Sequence, residues 1–205
     1  MAKRRVIIYF DYYSPYAYFV SAAFDRIATE HSVTAEWRPL DVVQLLRLAE
    51  ADIYSPAKRR YVNHDVFRCA EYYATPIAIP KPWPINARPA LAASLVAQEE
   101  GIFEPFRKAV FHAAWAQQRD IADPVVLADC VVQAGGDADR ILRRAHAAGY
   151  AQTIFQHTQA AAAEGIFGVP LLIYNDERFF GRDRLAMLEW RLRGPGTVAG
   201  SALPR

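Results

Sequence analysis

The tetrad Ser14-Pro15-Tyr16-Ala17 is where residue type and spacing bear most directly on chemistry. An apolar run, Val6-Ile7-Ile8-Tyr9-Phe10, feeds into it, and a segment of helical periodicity follows. A strand that ends at a Pro-started helix gathers backbone N–H groups and turns a positive dipole end outward. A redox Cys-x-x-Cys motif uses such a spot because the helix N-terminus stabilises a thiolate. Here Ser14 and Ala17 fill both sulfur positions. Serine cannot exchange disulfides, and alanine cannot resolve a mixed one. A hydroxyl at this position can still donate a hydrogen bond to the thiolate of a bound molecule. The competing reading is structural: Ser14 as an N-cap with Pro15 at N1, a very common pairing.

A second feature, Gly168-Val169-Pro170, stands at the start of the strand-like run 170–174. A Val-Pro bond there is compatible with a cis peptide that turns the Val169 main chain toward solvent. A ligand peptide could pair with that edge like an added strand. X-Pro bonds are mostly trans, so the expectation draws its weight from the helix-tip serine found far earlier in the chain. Cys69 and Cys130 are in no metal or redox spacing and sit among apolar neighbours in helical patterns, which predicts buried, inert thiols. The histidines at 31, 64, 112, 146 and 157 form no close ligand pair, and no metal site is expected.

The elements that must position these residues are legible in outline. Val6 to Phe10 reads as a strand buried on both faces, residues 15–30 as a helix, and Val33 to Trp37 as a strand stopped by Pro39. From 42 to 164 almost no strand pattern occurs. Segments 42–50, 57–73, 88–100, 102–117, 124–134, 137–147 and 150–163 read as helices, separated by breakers such as Ser55-Pro56, the Pro-rich 76–84 loop and Gly135-Gly136. Strand pattern returns at Pro170 to Tyr174. A turn at Asn175-Asp176-Glu177 then leads to Arg178-Phe179-Phe180, and Asp183 is expected to cap a final helix. The plan is βαβ, a long helical insertion, then ββα. Residues 194–205, rich in Gly, Pro and small residues, read as a flexible tail.

Composition excludes several classes. The chain has 205 residues, 53% hydrophobic and 22% charged, an ordinary globular balance. A net charge of +2 without aromatic-interleaved basic blocks gives no case for nucleic acid. The apolar run after Lys3-Arg4-Arg5 is too short for a signal-peptide core, and no stretch approaches a membrane span. A cytoplasmic protein with no membrane partner is expected.

Phe10-Asp11-x-x-Ser14-Pro15-Tyr16-Ala17-Tyr18, Gly165-Ile166-Phe167-Gly168-Val169-Pro170 and Phe180-Gly181-Arg182-Asp183-Arg184-Leu185 together resemble the 2-hydroxychromene-2-carboxylate isomerase family. Three further stretches fit the same pattern: Pro56-x-Lys58-x-x-Tyr61-x-x-x-Asp65-x-x-Arg68, Trp83-Pro84-x-Asn86 and Trp115-x-x-x-Arg119-Asp120-Ile121-x-Asp123-Pro124. The resemblance runs in order through nearly all of residues 6–193. That family is similar to kappa-class glutathione transferases and to DsbA oxidoreductases. It implies an α/β, thioredoxin-like fold over 1–41 and 165–193 with an all-helical insertion over 42–164. It also implies glutathione as cofactor. Ser14 would donate to the glutathione sulfur, Val169-Pro170 would pair with its cysteinyl backbone, and Asp183, beside Arg182, would accept from its γ-glutamyl ammonium. Lys58 and Asn86 would hold a carboxylate of glutathione or of the substrate. Tyr16 and Trp83, with Tyr12, Tyr13 and Trp115, would wall an aromatic pocket. Taken alone, Lys58 reads equally as a solvated helix lysine and Asp183 as a plain cap.

The implied reaction interconverts 2-hydroxychromene-2-carboxylate and trans-o-hydroxybenzylidenepyruvate, a step of aromatic hydrocarbon degradation, through a reversible glutathione thiolate adduct. A small aromatic carboxylate is the expected substrate, and a homodimer is compatible with the reading. Arg182 and Ala87 depart from the family pattern, where a smaller polar residue and a hydroxyl residue are common. Two other readings stand beside this one. A kappa-like glutathione transferase would release the adduct, and a non-catalytic thioredoxin-fold module would have lost its chemistry with its cysteines.

Overall fold

Val6, Ile8 and Phe10 alternate along the first strand and are wholly buried on one face, while Tyr9 is buried on the other. A strand with two apolar faces belongs at the centre of a sheet, and the computed structural model places it there. It describes residues 4–49 and 55–194; the expected tail from 195 onward lies outside them. Strand β1 (Arg4–Phe10) pairs parallel with β2 (Val33–Pro39) and antiparallel with β3 (Leu171–Tyr174), which pairs with β4 (Glu177–Phe180). The order is β2-β1-β3-β4, with Ile8 opposite Trp37 on one side and Leu172 on the other.

Helix α1 (Pro15–His31) starts at Ser14 and ends on Ser32 in the left-handed region. It packs Phe19, Val20, Phe24 and Ile27 against the Ile8 face of β1. Helices α4 (Arg88–Glu99), α5 (Phe103–Trp115), α6 (Pro124–Gln133) and α7 (Ala138–His146) extend that same core. The opposite face of β1, with Tyr9, is covered by α2 (Val42–Leu48) and α8 (Ala148–Ala163) together with Ile166, Val169 and Leu171. Helix α3 (Pro56–Tyr72) buries only Val66 and lies against α1. The chain closes with a 3-10 turn, Arg182–Arg184, and α9 (Leu185–Arg193).

Each expected element is present, with one local correction. Asp183 does not cap α9: the 3-10 turn intervenes, and α9 starts at Leu185 with Arg184 at its N-cap and no side-chain cap. Gly181, at φ +91°, makes the bend before that turn, and a Cβ there would meet the Asp183 carboxylate at 2.8 Å. Among the described residues, no helix is long and apolar enough to cross a membrane.

Candidate functional site

The two halves of the expected site meet at the tip of α1. Asp11 directly follows β1, and its carbonyl accepts the Ser14 N–H at 3.1 Å, which tightens the loop that presents the helix. The Ser14 hydroxyl oxygen accepts the Ala17 N–H at 3.2 Å, and its proton points to the Val169 carbonyl at 3.4 Å. The first bond is a helix cap. The second is long enough to be exchanged for a ligand atom. Ser14 is therefore the cap of α1, as the structural reading expects, and its hydroxyl proton is only loosely held by the protein.

The Val169–Pro170 bond is cis, the form with which the sequence is compatible. The Pro170 carbonyl accepts the Gly181 N–H at 2.9 Å, which brings the Arg182–Arg184 turn beside the Val169-Pro170 segment. Asp183 is exposed there and pairs with Arg184 at 2.7 Å. The Arg182 guanidinium carbon sits over the Tyr73 ring at 3.9 Å, with its Nε buried and, among the described residues, unpartnered, so its guanidinium is directed at the end of α3.

The Tyr16 hydroxyl donates to Asp65 of α3 at 2.7 Å, and Tyr73 at the end of α3 meets Phe19 at 6.0 Å. These contacts lay α3 along the start of α1. Lys58 is exposed in the first turn of α3, seven residues before Asp65. Two helical turns put it on the same face of α3, about 10 Å further along the axis.

The expected aromatic wall divides. Tyr12 and Trp115 are core residues, fully or almost fully buried. The Tyr12 hydroxyl pairs with Ser94 at 2.8 Å, and the Trp115 indole N–H donates to the Tyr12 carbonyl at 2.8 Å. Trp83, between cis prolines 82 and 84, is 53% exposed and meets Tyr13 at 5.3 Å. Beyond Tyr13 opens a cavity of about 320 Å³ lined by Asp11, Asp41, Pro84, Asn86 and Arg88 among others. A larger cleft of about 600 Å³ runs along β2 past Tyr9, Arg38 and Glu164 and holds none of the expected site residues. Its polar groups pair with one another, Tyr9 donating to Glu164 and accepting from Arg38, each at 3.0 Å.

Asp11 lies beside the candidate site, and in the sequence it stands only as part of a motif, with no role of its own. Its carboxylate is buried and accepts the Tyr13 N–H at 3.0 Å and the Val42 N–H at 2.8 Å. Burial pushes its carboxyl up to about 7, aided by nearby Asp41 and opposed by those two N–H bonds and by Arg88. The signal available in sequence was an acid directly after a buried strand, where an unpaired charge must find backbone donors.

Both thiols are pushed up to about 11, chiefly by burial. Cys130 is buried as expected, whereas Cys69 is only partly buried and faces Asp65 at 3.7 Å. Glu30, His31 and Glu189 have ligand atoms within 4.8 Å of one another, but Arg26 already pairs with both carboxylates, at 2.5 and 2.7 Å.

The DSBA-like thioredoxin domain family matches residues 5–193. A 2-hydroxychromene-2-carboxylate isomerase of Sphingobium xenophagum is 28% identical over 193 residues, covering 91% of this chain and 96% of the relative. Glutathione S-transferase kappa 2 of Caenorhabditis elegans is 24% identical, covering 90% of each chain. Among solved structures, a 2-hydroxychromene-2-carboxylate isomerase shares the fold with a TM-score of 0.82 at 23% identity, covering 92% of this chain and 94% of that one.

Proposed function

The chain belongs to the DSBA-like thioredoxin domain family, and from that premise we propose that it is a glutathione-dependent isomerase of an aromatic carboxylate. The proposed reaction interconverts 2-hydroxychromene-2-carboxylate and trans-o-hydroxybenzylidenepyruvate. One observation carries the reading: a serine hydroxyl, not a cysteine, caps α1 and reaches the Val169 carbonyl beside a cis proline.

The residues present fit glutathione. The first turn of α1 holds no acidic residue to oppose a thiolate. Among the described residues, the Val169 N–H has no backbone partner, so it is open to a ligand carbonyl. When bound, glutathione supplies a thiolate that can add to a conjugated double bond and leave again, which allows rotation in between. Ser14 turns its proton from Val169 to the sulfur and favours the charged form. Asp183 offers an exposed carboxylate to an ammonium group, and Lys58 stands exposed in the first turn of α3. Tyr13 and Trp83 give the substrate ring an aromatic face.

Calorimetric titration with glutathione, followed by an absorbance assay with the chromene carboxylate, tests the reading. Stoichiometric binding and glutathione-dependent isomerisation are expected. Binding with release of a glutathione conjugate would instead favour the transferase reading, which the kappa-class relative supports. Absence of glutathione binding would refute both.

A further inference from the structure

Arg88 begins α4 at the edge of the 320 Å³ cavity and is held through its Nε. Its Nε donates to Asp41 Oδ2 at 2.7 Å, while Asp41 Oδ1 accepts the Gln44 N–H at 3.0 Å as the cap of α2. Asp41 is itself buried and cannot swing away. Arg–carboxylate pairs are frequently bidentate, fork to fork through two nitrogens. Here the contact is side-on. The Arg88 side chain is 66% exposed, and among the described residues neither terminal nitrogen has a protein partner, so both are hydrated and open to a ligand.

Three further features face the same space. Asn86 lines it, with its Oδ1 turned back to the Arg88 N–H at 3.4 Å and its amide nitrogen unpartnered among the described residues. Ala87 caps α4 without a side-chain acceptor, so the positive end of that helix is not masked by a hydroxyl. Tyr13 lies on the opposite side with Trp83 against it. Forked donors, an amide donor and an aromatic wall together suit a planar anion attached to a ring. We propose that this cavity is a carboxylate-binding site in which Asp41 positions Arg88 with its forked end open, and a ligand carboxylate docks against Arg88 and Asn86. The inference extends the isomerase reading by naming the residues that hold the organic acid, and it rests on that reading only for the identity of the ligand.

Asp11 gives the site a proton linkage. Its carboxyl is walled by the Tyr13 loop, by Asp41 at the start of α2, and by Arg88 from α4. A second carboxylate brought to Arg88 opposes the ionised form of Asp11 and favours its protonated form. By reciprocity, affinity for the acid rises as pH falls through about 7, the value to which burial pushes Asp11.

The test uses 4-phenyl-2-oxobutanoate, an aromatic 2-oxo acid without a double bond to react, and its neutral ethyl ester. Both are titrated calorimetrically into the full chain without glutathione, so failure of the glutathione reading leaves this result standing. The acid is expected to bind about tenfold tighter than the ester or better, as for a charge-assisted hydrogen bond. Arg88→Gln should abolish the preference and Arg88→Lys should restore part of it. Affinity for the acid, and not for the ester, should climb from pH 8 to pH 6. A separate glutathione titration of Arg88→Gln assigns the source: unchanged affinity places the substrate carboxylate at Arg88, and weakened affinity places a glutathione carboxylate there. Equal binding of acid and ester, no binding of either, or a preference that survives Arg88→Gln would overturn the proposal. Asp41→Asn, which loosens Arg88 and leaves its charge, should lower the preference without removing it.

Discussion

Replacing Ser14 by alanine removes two bonds whose costs can be separated. The cap to the Ala17 N–H, at 3.2 Å, contributes to the fold with or without ligand. Its loss should cost about 1 kcal/mol, or roughly 2–4 °C in Tm for a chain of this size. The bond to the Val169 carbonyl, at 3.4 Å, is too long to add much. In the complex the same proton would serve the sulfur, and a hydrogen bond to a charged group contributes about 1.5–3 kcal/mol. That corresponds to a fall in turnover of roughly 10- to 150-fold. The lower half of the range is expected, because the backbone N–H groups and dipole of α1 remain. The assay has three readouts: Tm, steady-state turnover with the chromene carboxylate, and the thiol pKa of bound glutathione followed by thiolate absorbance. Turnover should fall more than glutathione affinity, the bound-thiol pKa should rise, and Ser14→Thr, which keeps the hydroxyl, should recover most of the rate. Normal turnover with an unshifted thiol pKa, alongside the small drop in Tm, would refute the reasoning and leave Ser14 as a helix cap.

Asp11 binds its proton more tightly folded than unfolded, since burial raises it from 3.8 to about 7. Its contribution is therefore fully present below pH 4 and lost as pH rises to 7, by up to about 1.4 kcal/mol per pH unit. The difference in stability between wild type and Asp11→Asn, measured by denaturant melts from pH 4 to 8, should shift toward the variant as pH rises; a difference constant with pH would contradict the burial argument. Taking the difference cancels His157, whose lowered pKa is present in both proteins. Cys69 and Cys130 should resist a neutral-pH thiol reagent in the folded chain, and insulin reduction should stay at background; reduction lost on replacing either cysteine would show that pKa values near 11 do not describe them. Tyr16→Phe should release α3 from α1 at Asp65 and raise KM several-fold with Tm lowered by no more than about 1 kcal/mol equivalent, and an unchanged KM would remove α3 from the ligand site.

The backbone of the site was legible because its signals are local. An apolar strand, a Ser-Pro helix start, and breakers between alanine-rich helices each depend on a few neighbouring residues, and each element formed where they indicated. Side-chain partners were less legible because they depend on what the fold brings from afar. Tyr12 and Tyr13 are adjacent, yet one is fully buried against Phe111 and Ser94 while the other meets Trp83. Nothing in their spacing separates them. Asp183 carries a cap's residue type at a cap's position, but Gly181 bends the chain so that a 3-10 turn forms first. Arg88 and Asp41 are 47 residues apart, and only the meeting of α2 and α4 makes one hold the other.

The contact between Ser14 and Val169 spans 155 residues, and β1 finds its antiparallel partner only at Leu171 to Ile173. Closing so long a loop is entropically costly and slow, whereas helices make their contacts locally. On the ribosome, α2 through α8 leave the exit tunnel before β3 does. A nascent chain stopped short of residue 168 thus carries the serine, the helix and most of the hydrophobic interior, yet lacks the Val169-Pro170 segment that faces Ser14. The candidate site is therefore completed late in synthesis and all at once, when the cis-Pro segment reaches the helix tip.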